Sequence, residues 1–283
     1  MRKSSKWLAL MLAFALVLSA FAFAGCAAEE EPAEEEPAEE PAEEPAEAEY
    51  PEFTTIEDGK LLVGSDTAFP PFESMNGDVA EGFDVDLMDA IGEKLGLEVV
   101  FMTEIFDTLI PTLKAGGKFD VIASGMTIKP ERELEIDFTD PYYDSNQSLV
   151  MAKGSTYAGP EDLAGKRIGV QSGTTGEAWA QENIPDAELV PFKNATEAFA
   201  AAQAGNVDAI VNDLPVSSEI LKEDDRGLEI VAQIPTGEQY GFGVSKDNAG
   251  LTEAMNMALA ELKEDGTYAT IYEKWFGTAP PAE

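Results

Sequence analysis

The chain has 283 residues, which is enough for one large domain or two ordinary ones. Its 55 acidic side chains outnumber 18 basic ones and give a formal net charge of −37 at pH 7, which argues against nucleic-acid binding because phosphate backbones require clustered Lys and Arg. The absence of histidine and the single cysteine exclude His-based catalysis, His- or Cys-cluster metal sites and an internal disulfide framework. No metal site and no cofactor are expected.

The N-terminus has the layout of an export signal. The first six residues carry three basic side chains, and residues 7–24 form an apolar run in which Ser19 is the only polar side chain. A basic start followed by an apolar segment is typical of a secretory signal peptide, predicted here over residues 1–25. A permanent transmembrane helix is the alternative, since the run is close to the ~18 residues that a span requires.

The segment Phe23-Ala24-Gly25-Cys26 resembles a bacterial lipobox, in which the cysteine is lipidated and becomes the mature N-terminus. Phe23 stands where such signals usually carry Leu, and Cys26 is the only cysteine of the chain. Lipidation of Cys26 would anchor the protein to a membrane, since each buried CH₂ contributes about 0.8 kcal/mol. An ordinary signal peptide or anchor is the alternative.

The next segment is acidic and rich in proline. Residues 27–49 contain twelve Glu, four Pro and no basic residue. Like charges repel and proline interrupts helices, so residues 26–50 are predicted to be a disordered linker that starts at the lipidated cysteine. An acidic tail that recruits a partner is the alternative.

The first part of the remaining chain alternates strand and helix patterns. A short apolar run at residues 61–65 predicts a buried strand, and Phe83, Leu87, Ile91 and Leu95 recur on one helical face that Gly96 closes. The patterns then predict a strand at 99–101, a helix at 106–113 and a strand at 120–124.

The same alternation restarts with a strand at 166–170. A helix from Thr175, a strand near Leu189, an Ala-rich helix from Ala195 and a strand at 208–211 follow. Repeated β–α units predict mostly parallel sheets flanked by helices, and two runs of them predict two lobes. Ligands of open α/β sheets bind beyond the carboxyl ends of strands. The places to search are therefore Asp66 and residues 124–127, 171–175 and 212–213.

At these strand ends the sequence resembles a known family. The segments that carry the resemblance are Ser65–Glu73, Gly82–Leu87, Gly125–Arg132 with Ile136–Phe138, Gly169–Thr175 and Gly266–Gly277. They resemble the polar amino-acid-binding group of extracytoplasmic solute-binding proteins (family 3) of ABC importers, with the glutamine-binding members nearest. The resemblance covers about residues 60–278, in order and at the expected spacings.

The resemblance implies a two-lobed, type II periplasmic-binding-protein-like α/β fold with a two-stranded hinge. Lobe 1 would combine residues 51–141 with 241–283, and lobe 2 would span residues 147–235. The crossovers would lie near Pro141–Asn146 and Pro235–Tyr240.

An amino-acid ligand requires partners for both of its charges, because burying an unpaired charge is costly. Arg132 suits the carboxylate, since its planar fork donates two parallel hydrogen bonds and Pro130 is suited to the first turn of a helix. The resemblance implies the same role. A surface arginine paired with Glu131 or Glu135 is the alternative.

The resemblance assigns the α-amino group to Asp213, which follows a predicted strand. The alternative is an N-cap for the helical segment after Pro215. Thr175 is predicted to donate its hydroxyl or backbone N–H to the ligand carboxylate, with plain N-capping as the alternative.

The other predicted contacts surround the ligand side chain. Phe69 and Phe106 would sandwich its aliphatic part, although a lone Phe is usually a core residue. Gly125 and Thr127 would supply backbone and hydroxyl contacts. The positions expected to face the side chain are Asp66, Gly125, Gln171 and Asn212. Glutamine-binding relatives often have Lys in place of Gln171, and relatives commonly have Thr in place of Lys129.

The resemblance implies a substrate-binding component of an ABC importer, not an enzyme, that captures a glutamine-like polar amino acid by hinge closure. It would act as a monomer, without nucleic acid, and deliver its ligand to a membrane permease. Two alternatives remain: a dehydratase on the same scaffold, with Glu73, Asp66 or Lys129 as acid or base, and the sensing domain of a signalling protein.

Overall fold

The computed structural model describes residues 49–225 and 227–281. The predicted signal peptide, Cys26 and almost all of the predicted linker lie outside these residues. At the start of the described chain, the Tyr50 hydroxyl donates a 3.0 Å hydrogen bond to Glu261 Oε1. Tyr50 therefore already packs on the folded part of the protein.

Strands and helices alternate through most of the described chain. In chain order they are β1 (Lys60–Ser65), β2 (Ala68–Phe69), β3 (Glu73–Asn76), β4 (Val79–Glu81), α1 (Phe83–Leu95), β5 (Glu98–Thr103), α2 (Phe106–Ala115), β6 (Val121–Ile122), α3 (Pro130–Glu133), β7 (Asp137–Phe138), β8 (Tyr143–Ala152), β9 (Arg167–Gln171), α4 (Thr175–Asn183), β10 (Glu188–Phe192), α5 (Ala195–Gln203), β11 (Ala209–Asp213), α6 (Leu214–Glu223), β12 (Leu228–Tyr240), β13 (Gly243–Val244), α7 (Ala249–Glu264) and α8 (Thr267–Phe276).

Two five-stranded sheets define the two lobes. Lobe 1 contains the sheet β5-β1-β6-β13-β7, in which β13 runs antiparallel to its neighbours. Lobe 2 contains the sheet β10-β9-β11-β8-β12, in which β8 runs antiparallel to its neighbours. This arrangement confirms the predicted two-lobed α/β fold with mostly parallel sheets and flanking helices. A small antiparallel sheet, β2-β3-β4, was not predicted.

The helix α1 shows why the local patterns were informative. It spans Phe83–Leu95, and Phe83, Leu87 and Ile91 are buried on its inner face. Gly96 then adopts φ 70°, and its backbone N–H donates to the carbonyl of Glu93. A left-handed residue of this kind ends a helix without a Cβ penalty.

Two long strands connect the lobes. β8 leaves lobe 1 at Tyr143 and β12 returns to it at Tyr240, and these two residues face each other in antiparallel register. Ser145 is opposite Glu238, and the register shifts between Ile234 and Glu238. Both strands continue into the sheet of lobe 2, so the connection is an extension of that sheet. No local pattern had identified β8 or β12 as strands.

Candidate functional site

The carboxyl ends of the strands from both lobes meet at one small cavity. The cavity is lined by Phe69, Phe106, Gly125, Thr127, Arg132, Gln171, Thr174, Thr175 and Asp213. Eight of the ten residues predicted to contact a ligand are among them. The structure thus places residues that are more than a hundred positions apart in the sequence around one small space.

Arg132 is buried on the lobe 1 side, with 7% of its surface exposed. Its Nη1 donates to the Thr127 carbonyl at 2.8 Å, and its Nη2 donates to the Gly173 carbonyl of lobe 2 at 3.0 Å. Burial lowers the pKa of Arg132, and the charges of Asp213 and Glu238 oppose this shift.

The alternative of a surface arginine is not supported by these contacts. Glu135 pairs with Lys114, and Glu131 lies 3.9 Å from Lys129 Nζ. The guanidinium carbon of Arg132 instead lies 5.3 Å from the centre of the Phe106 ring, where a cation interacts favourably with the aromatic face. The helix that carries Arg132, α3, is only four residues long and begins at Pro130.

Asp213 closes the opposite side of the cavity, at the end of β11 in lobe 2. Its Oδ1 accepts a 2.6 Å hydrogen bond from Gln147 Nε2, and its Oδ2 accepts one from the Tyr240 hydroxyl. Asp213 is the residue before α6, but its side chain makes no capping hydrogen bond. Burial, and next the negative charge of Glu238, raise the pKa of Asp213 to about 7.

Asn212 is one of the two predicted residues that do not line the cavity, and Asp66 is the other. Successive side chains of a strand point to opposite faces, and since Asp213 faces the cavity, Asn212 faces the interior of lobe 2. Its Nδ2 lies 3.4 Å from the Ser217 hydroxyl and from the Asp213 carbonyl. Strand alternation, applied to β11, would have separated these two neighbours.

A second hydrogen bond crosses between the lobes beside the cavity. Gln171 Nε2 donates to Asp66 Oδ2 at 2.9 Å, and both residues are buried. Burial raises the pKa of Asp66 to about 6, although the hydrogen bond from Gln171 opposes the shift. Asp66 does not line the cavity itself but is hydrogen-bonded to Gln171, which does.

Gly125 shapes the wall of the cavity in lobe 1. It adopts φ +50°, and a Cβ at this position would lie 2.9 Å from the ring of Phe69. Its backbone N–H donates to Asp84 Oδ2 at 3.0 Å, so a buried carboxylate holds this part of the wall from behind. The Phe69 ring lies against Gly125, and both residues line the cavity.

Glu238 of β12 is a cavity neighbour that sequence analysis did not identify. Its Oε2 accepts hydrogen bonds from the Thr127 hydroxyl at 2.8 Å and from the Thr175 hydroxyl at 2.7 Å. Its Oε1 lies 3.1 Å from Gln147 Nε2. The hydroxyl of Thr175 is thus already engaged, which leaves only its backbone N–H for the predicted contact with a ligand carboxylate. Thr174, and not Thr175, is the N-cap of α4.

Two further carboxyl groups are buried behind the cavity. Glu73 accepts a 2.8 Å hydrogen bond from Ser124, and the same hydroxyl oxygen accepts the backbone N–H of Asp66 at 3.0 Å. Burial and the nearby charge of Asp84 raise the pKa of Glu73 well above its ordinary value. Burial also raises the pKa of Asp84 to about 7. Neither residue lines the cavity.

Across residues 49–225 and 227–281, no group of three or more Asp, Glu or Cys side chains could hold a metal ion. In the same part of the chain, no helix combines the length and the apolar character needed to cross a bilayer.

Two α/β lobes joined by two strands, with a polar cavity at the strand ends between them, define a type II solute-binding protein. The family described as bacterial extracellular solute-binding proteins, family 3, matches residues 61–278. The chain belongs to this family, as the sequence motifs had indicated.

Individual relatives carry more specific descriptions. The ABC transporter arginine-binding protein 1 of Escherichia coli (strain K12) is 39% identical over 224 residues, which cover 77% of this chain and 90% of that protein. A solved structure described as an ancestral arginine-binding protein bound to glutamine is 43% identical, with a TM-score of 0.75 and coverage of 78% and 99%. An ancestral amino-acid-binding protein, described as a precursor of cyclohexadienyl dehydratase, is 38% identical with a TM-score of 0.71 and coverage of 77% and 96%.

Proposed function

We propose that this protein is the extracytoplasmic substrate-binding component of an ABC amino-acid importer. It captures a polar amino acid between its lobes and delivers it to a membrane permease. One observation carries the proposal: a buried guanidinium from lobe 1 and a buried carboxylate from lobe 2 face the same cavity. Arg132 suits the α-carboxylate and Asp213 suits the α-ammonium, so a zwitterion supplies the partner that each charge needs.

In this mechanism the two connecting strands act as the hinge, near Pro141–Asn146 and Pro235–Tyr240. The ligand stabilises the closed form because it contacts Arg132 on one lobe and Asp213 on the other. A ligand shifts a conformational equilibrium only by its preference for one state, and contacts to both lobes exist only on closure.

The charges around the cavity favour a ligand with a cationic side chain over neutral glutamine. One guanidinium, that of Arg132, is accompanied by the buried carboxyl groups of Asp66, Asp213 and Glu238. An amino acid with a positive side chain offsets more of this negative charge than a neutral one. Arginine-binding relatives support the same ligand class, and Asp66 with Gln171 would face the side chain.

The proposed location follows from the predicted signal peptide and from lipidation of Cys26. The protein would act as a lipid-anchored monomer outside the cytoplasmic membrane. Globomycin, which blocks maturation of lipoprotein signals, should cause the unprocessed precursor to accumulate, and Cys26→Ser should prevent both lipidation and cleavage at this site. A cleaved, soluble product that is indifferent to both changes would contradict the anchor.

A thermal-shift screen of the twenty amino acids tests the binding function directly. A ligand that binds the folded state raises the melting temperature by mass action. Calorimetry would then give the affinity, and chromatography of the recovered ligand would separate binding from catalysis. Unchanged ligand supports the proposal, whereas an altered product would indicate a dehydratase-type enzyme. No stabilisation by any amino acid would contradict the proposed function.

A further inference from the structure

The carboxylate of Glu238 is placed where it contacts both lobes. Glu238 belongs to β12, one of the two connecting strands, and only 9% of its surface is exposed. A single oxygen, Oε2, accepts the hydroxyl of Thr127 from lobe 1 and the hydroxyl of Thr175 from lobe 2. Both threonines line the cavity, whereas Glu238 does not.

These two hydrogen bonds determine whether each threonine hydroxyl can donate or accept a further hydrogen bond. A hydroxyl group has one proton to donate and two lone pairs with which to accept. A carboxylate oxygen can only accept, so Thr127 and Thr175 must both donate to Glu238. Their remaining capacity is that of acceptors, and Thr175 Oγ1 already lies within 3.2 Å of the Gln147 amide nitrogen.

Hydrogen-bond acceptors also come from a residue next to the two threonines, Asp213. Gln147 Nε2 lies 2.6 Å from Asp213 Oδ1 and 3.1 Å from Glu238 Oε1, so one amide group connects the two carboxylates. Asp213 and the two threonine oxygens therefore present acceptors to the cavity. Arg132 presents donors from another side.

We propose that Glu238 is a positioning residue that orients the Thr127 and Thr175 hydroxyls as acceptors and thereby makes their side of the cavity the ammonium pole of the site. This inference rests on the proposed function, since it assigns one end of an amino-acid ligand. It also places the ligand carboxylate at Arg132 and at backbone N–H groups, away from the threonine hydroxyls.

The test compares ligands that differ only in the α-ammonium group. L-Arginine and L-glutamine are the first probes, and 5-guanidinopentanoate and glutaramate are their des-amino analogues. Glu238→Gln keeps the shape of the side chain but adds a donor. We expect it to weaken the amino acid that binds by about tenfold or more, and its des-amino analogue by less than about threefold. Glu229→Gln, on the same strand but hydrogen-bonded to the surface N–H of Gly154, is the matched control and should change neither affinity.

A double-mutant cycle separates orientation of the hydroxyls from the charge of Glu238 alone. Thr127→Val removes the hydroxyl, and Thr127→Ser retains it. We expect Glu238→Gln to have a smaller effect in the valine background and its full effect in the serine background, since coupled residues are not additive. Equal losses for amino acid and analogue, or equal effects in both backgrounds, would overturn the proposal.

The experiments also distinguish a Glu238→Gln variant that does not fold from a wild-type protein that binds no amino acid. Should Glu238→Gln fail to fold by circular dichroism, Thr127→Val with Glu238 intact provides the decision. It should weaken the amino acid and spare the des-amino analogue, and the opposite pattern would overturn the proposal. A wild-type protein that binds none of the twenty amino acids would overturn the proposed function and this inference together, whereas normal binding with an inert Glu238 would overturn the inference alone.

Discussion

Gln171 in lobe 2 and Asp66 in lobe 1 are joined by a 2.9 Å hydrogen bond from the amide Nε2 to the carboxylate Oδ2. Together with the bond from Arg132 to the Gly173 carbonyl, it connects the lobes on two sides of the cavity. Both bonds use side chains that we assign to ligand binding. A bound amino acid would therefore compete with these direct contacts or reinforce them, and its side chain decides which.

Asp66→Asn should weaken a cationic ligand far more than a neutral one. The amide keeps the size of the side chain but removes the negative charge beside the Gln171 amide. A hydrogen bond to a charged group contributes about 1.5–3 kcal/mol, so we expect a loss of about ten- to a hundredfold for L-arginine or L-lysine. The measurement is calorimetry at pH 8, where Asp66, with its pKa raised to about 6, is ionised.

The control for this substitution is Asp58→Asn, which removes an equal charge from an exposed turn. It should leave all affinities unchanged. Equal losses for cationic and neutral amino acids in Asp66→Asn would show that Asp66 does not select the ligand by charge.

Arg132→Ala should abolish detectable amino-acid binding and leave the fold intact. Among the described residues, the guanidinium is the only basic group that lines the cavity. Without it the ligand carboxylate is buried unpaired. Arg132→Lys should recover little, because an ammonium cannot reproduce the planar two-donor fork. Calorimetry gives the affinity, and circular dichroism reports the fold.

Arg167 provides the comparison for Arg132. It pairs with Asp208 at 2.9 Å on the surface of lobe 2, so Arg167→Ala should leave the affinity unchanged. Near-normal binding by Arg132→Ala would end the assignment of this residue to the carboxylate.

Local sequence patterns predicted the parts of the fold that depend on short-range order. The four-residue spacing of Phe83, Leu87 and Ile91 gave α1 its full extent, since burial of one helical face repeats every three to four residues. The family resemblance implied a two-stranded hinge, but local patterns did not show the strands β8 and β12, because their pairing joins residues up to about a hundred positions apart. Their sequences alternate weakly, and only the tertiary structure supplies the partner strand.

The candidate site likewise contains residues that the local sequence identifies and one that only the tertiary structure shows. Arg132 and Asp213 were found because motifs and strand ends mark them. Glu238 was missed because it is one of 55 acidic residues, and nothing in its local sequence distinguishes a buried carboxylate from a solvated one. Its role depends on Thr127 and Thr175, which reach it from two different lobes.

Amino-acid affinity should rise as the pH rises from 5 to 8. Burial and the charge of Glu238 raise the pKa of Asp213 to about 7. Below this value the carboxyl group of the free protein is protonated and neutral, so binding an ammonium must first expel a proton. The affinity should increase by up to about tenfold per pH unit below 7 and level off above it.

Calorimetry in buffers of different ionisation enthalpy should detect the released proton. The groups that face Asp213 are Gln147, Tyr240, Glu238 and, by charge, Arg132. Asp213→Asn cannot titrate at this position, so its weaker binding should lose the part of the pH dependence that is centred near pH 7. An unchanged wild-type affinity between pH 5 and pH 8 would contradict the role of Asp213.

Gly125→Ala should reduce both stability and affinity. An L-residue at φ +50° is strained by about 1–2 kcal/mol, and the new Cβ would meet the Phe69 ring at 2.9 Å. Phe69 must then move into or away from the cavity. Gly117→Ala separates the two effects, because Gly117 has φ +78° and no atom within 4 Å of the Cβ position. The control should lose stability but bind normally, and equal binding by both variants would contradict the contact with Phe69.

Glu73→Gln should stabilise the protein at neutral pH. Glu73 and Asp84 are fully buried, and burial raises the pKa of both, that of Asp84 to about 7. In the unfolded chain such groups titrate near pH 4.

Between pH 4 and pH 7 the folded protein therefore holds more protons than the unfolded chain. As the pH rises through this window, its free energy of unfolding should fall by about 1.4 kcal/mol per pH unit for each such carboxyl group. Glutamine removes one titrating group, while its carbonyl still accepts the Ser124 hydroxyl. The measurement is denaturant unfolding at several pH values, with the exposed Glu81→Gln as control. The variant should lose less stability than the wild type as the pH rises. If the free energies of unfolding of the two proteins change in parallel with pH and the variant is less stable at pH 7.5, the buried carboxyl pair does not destabilise the fold.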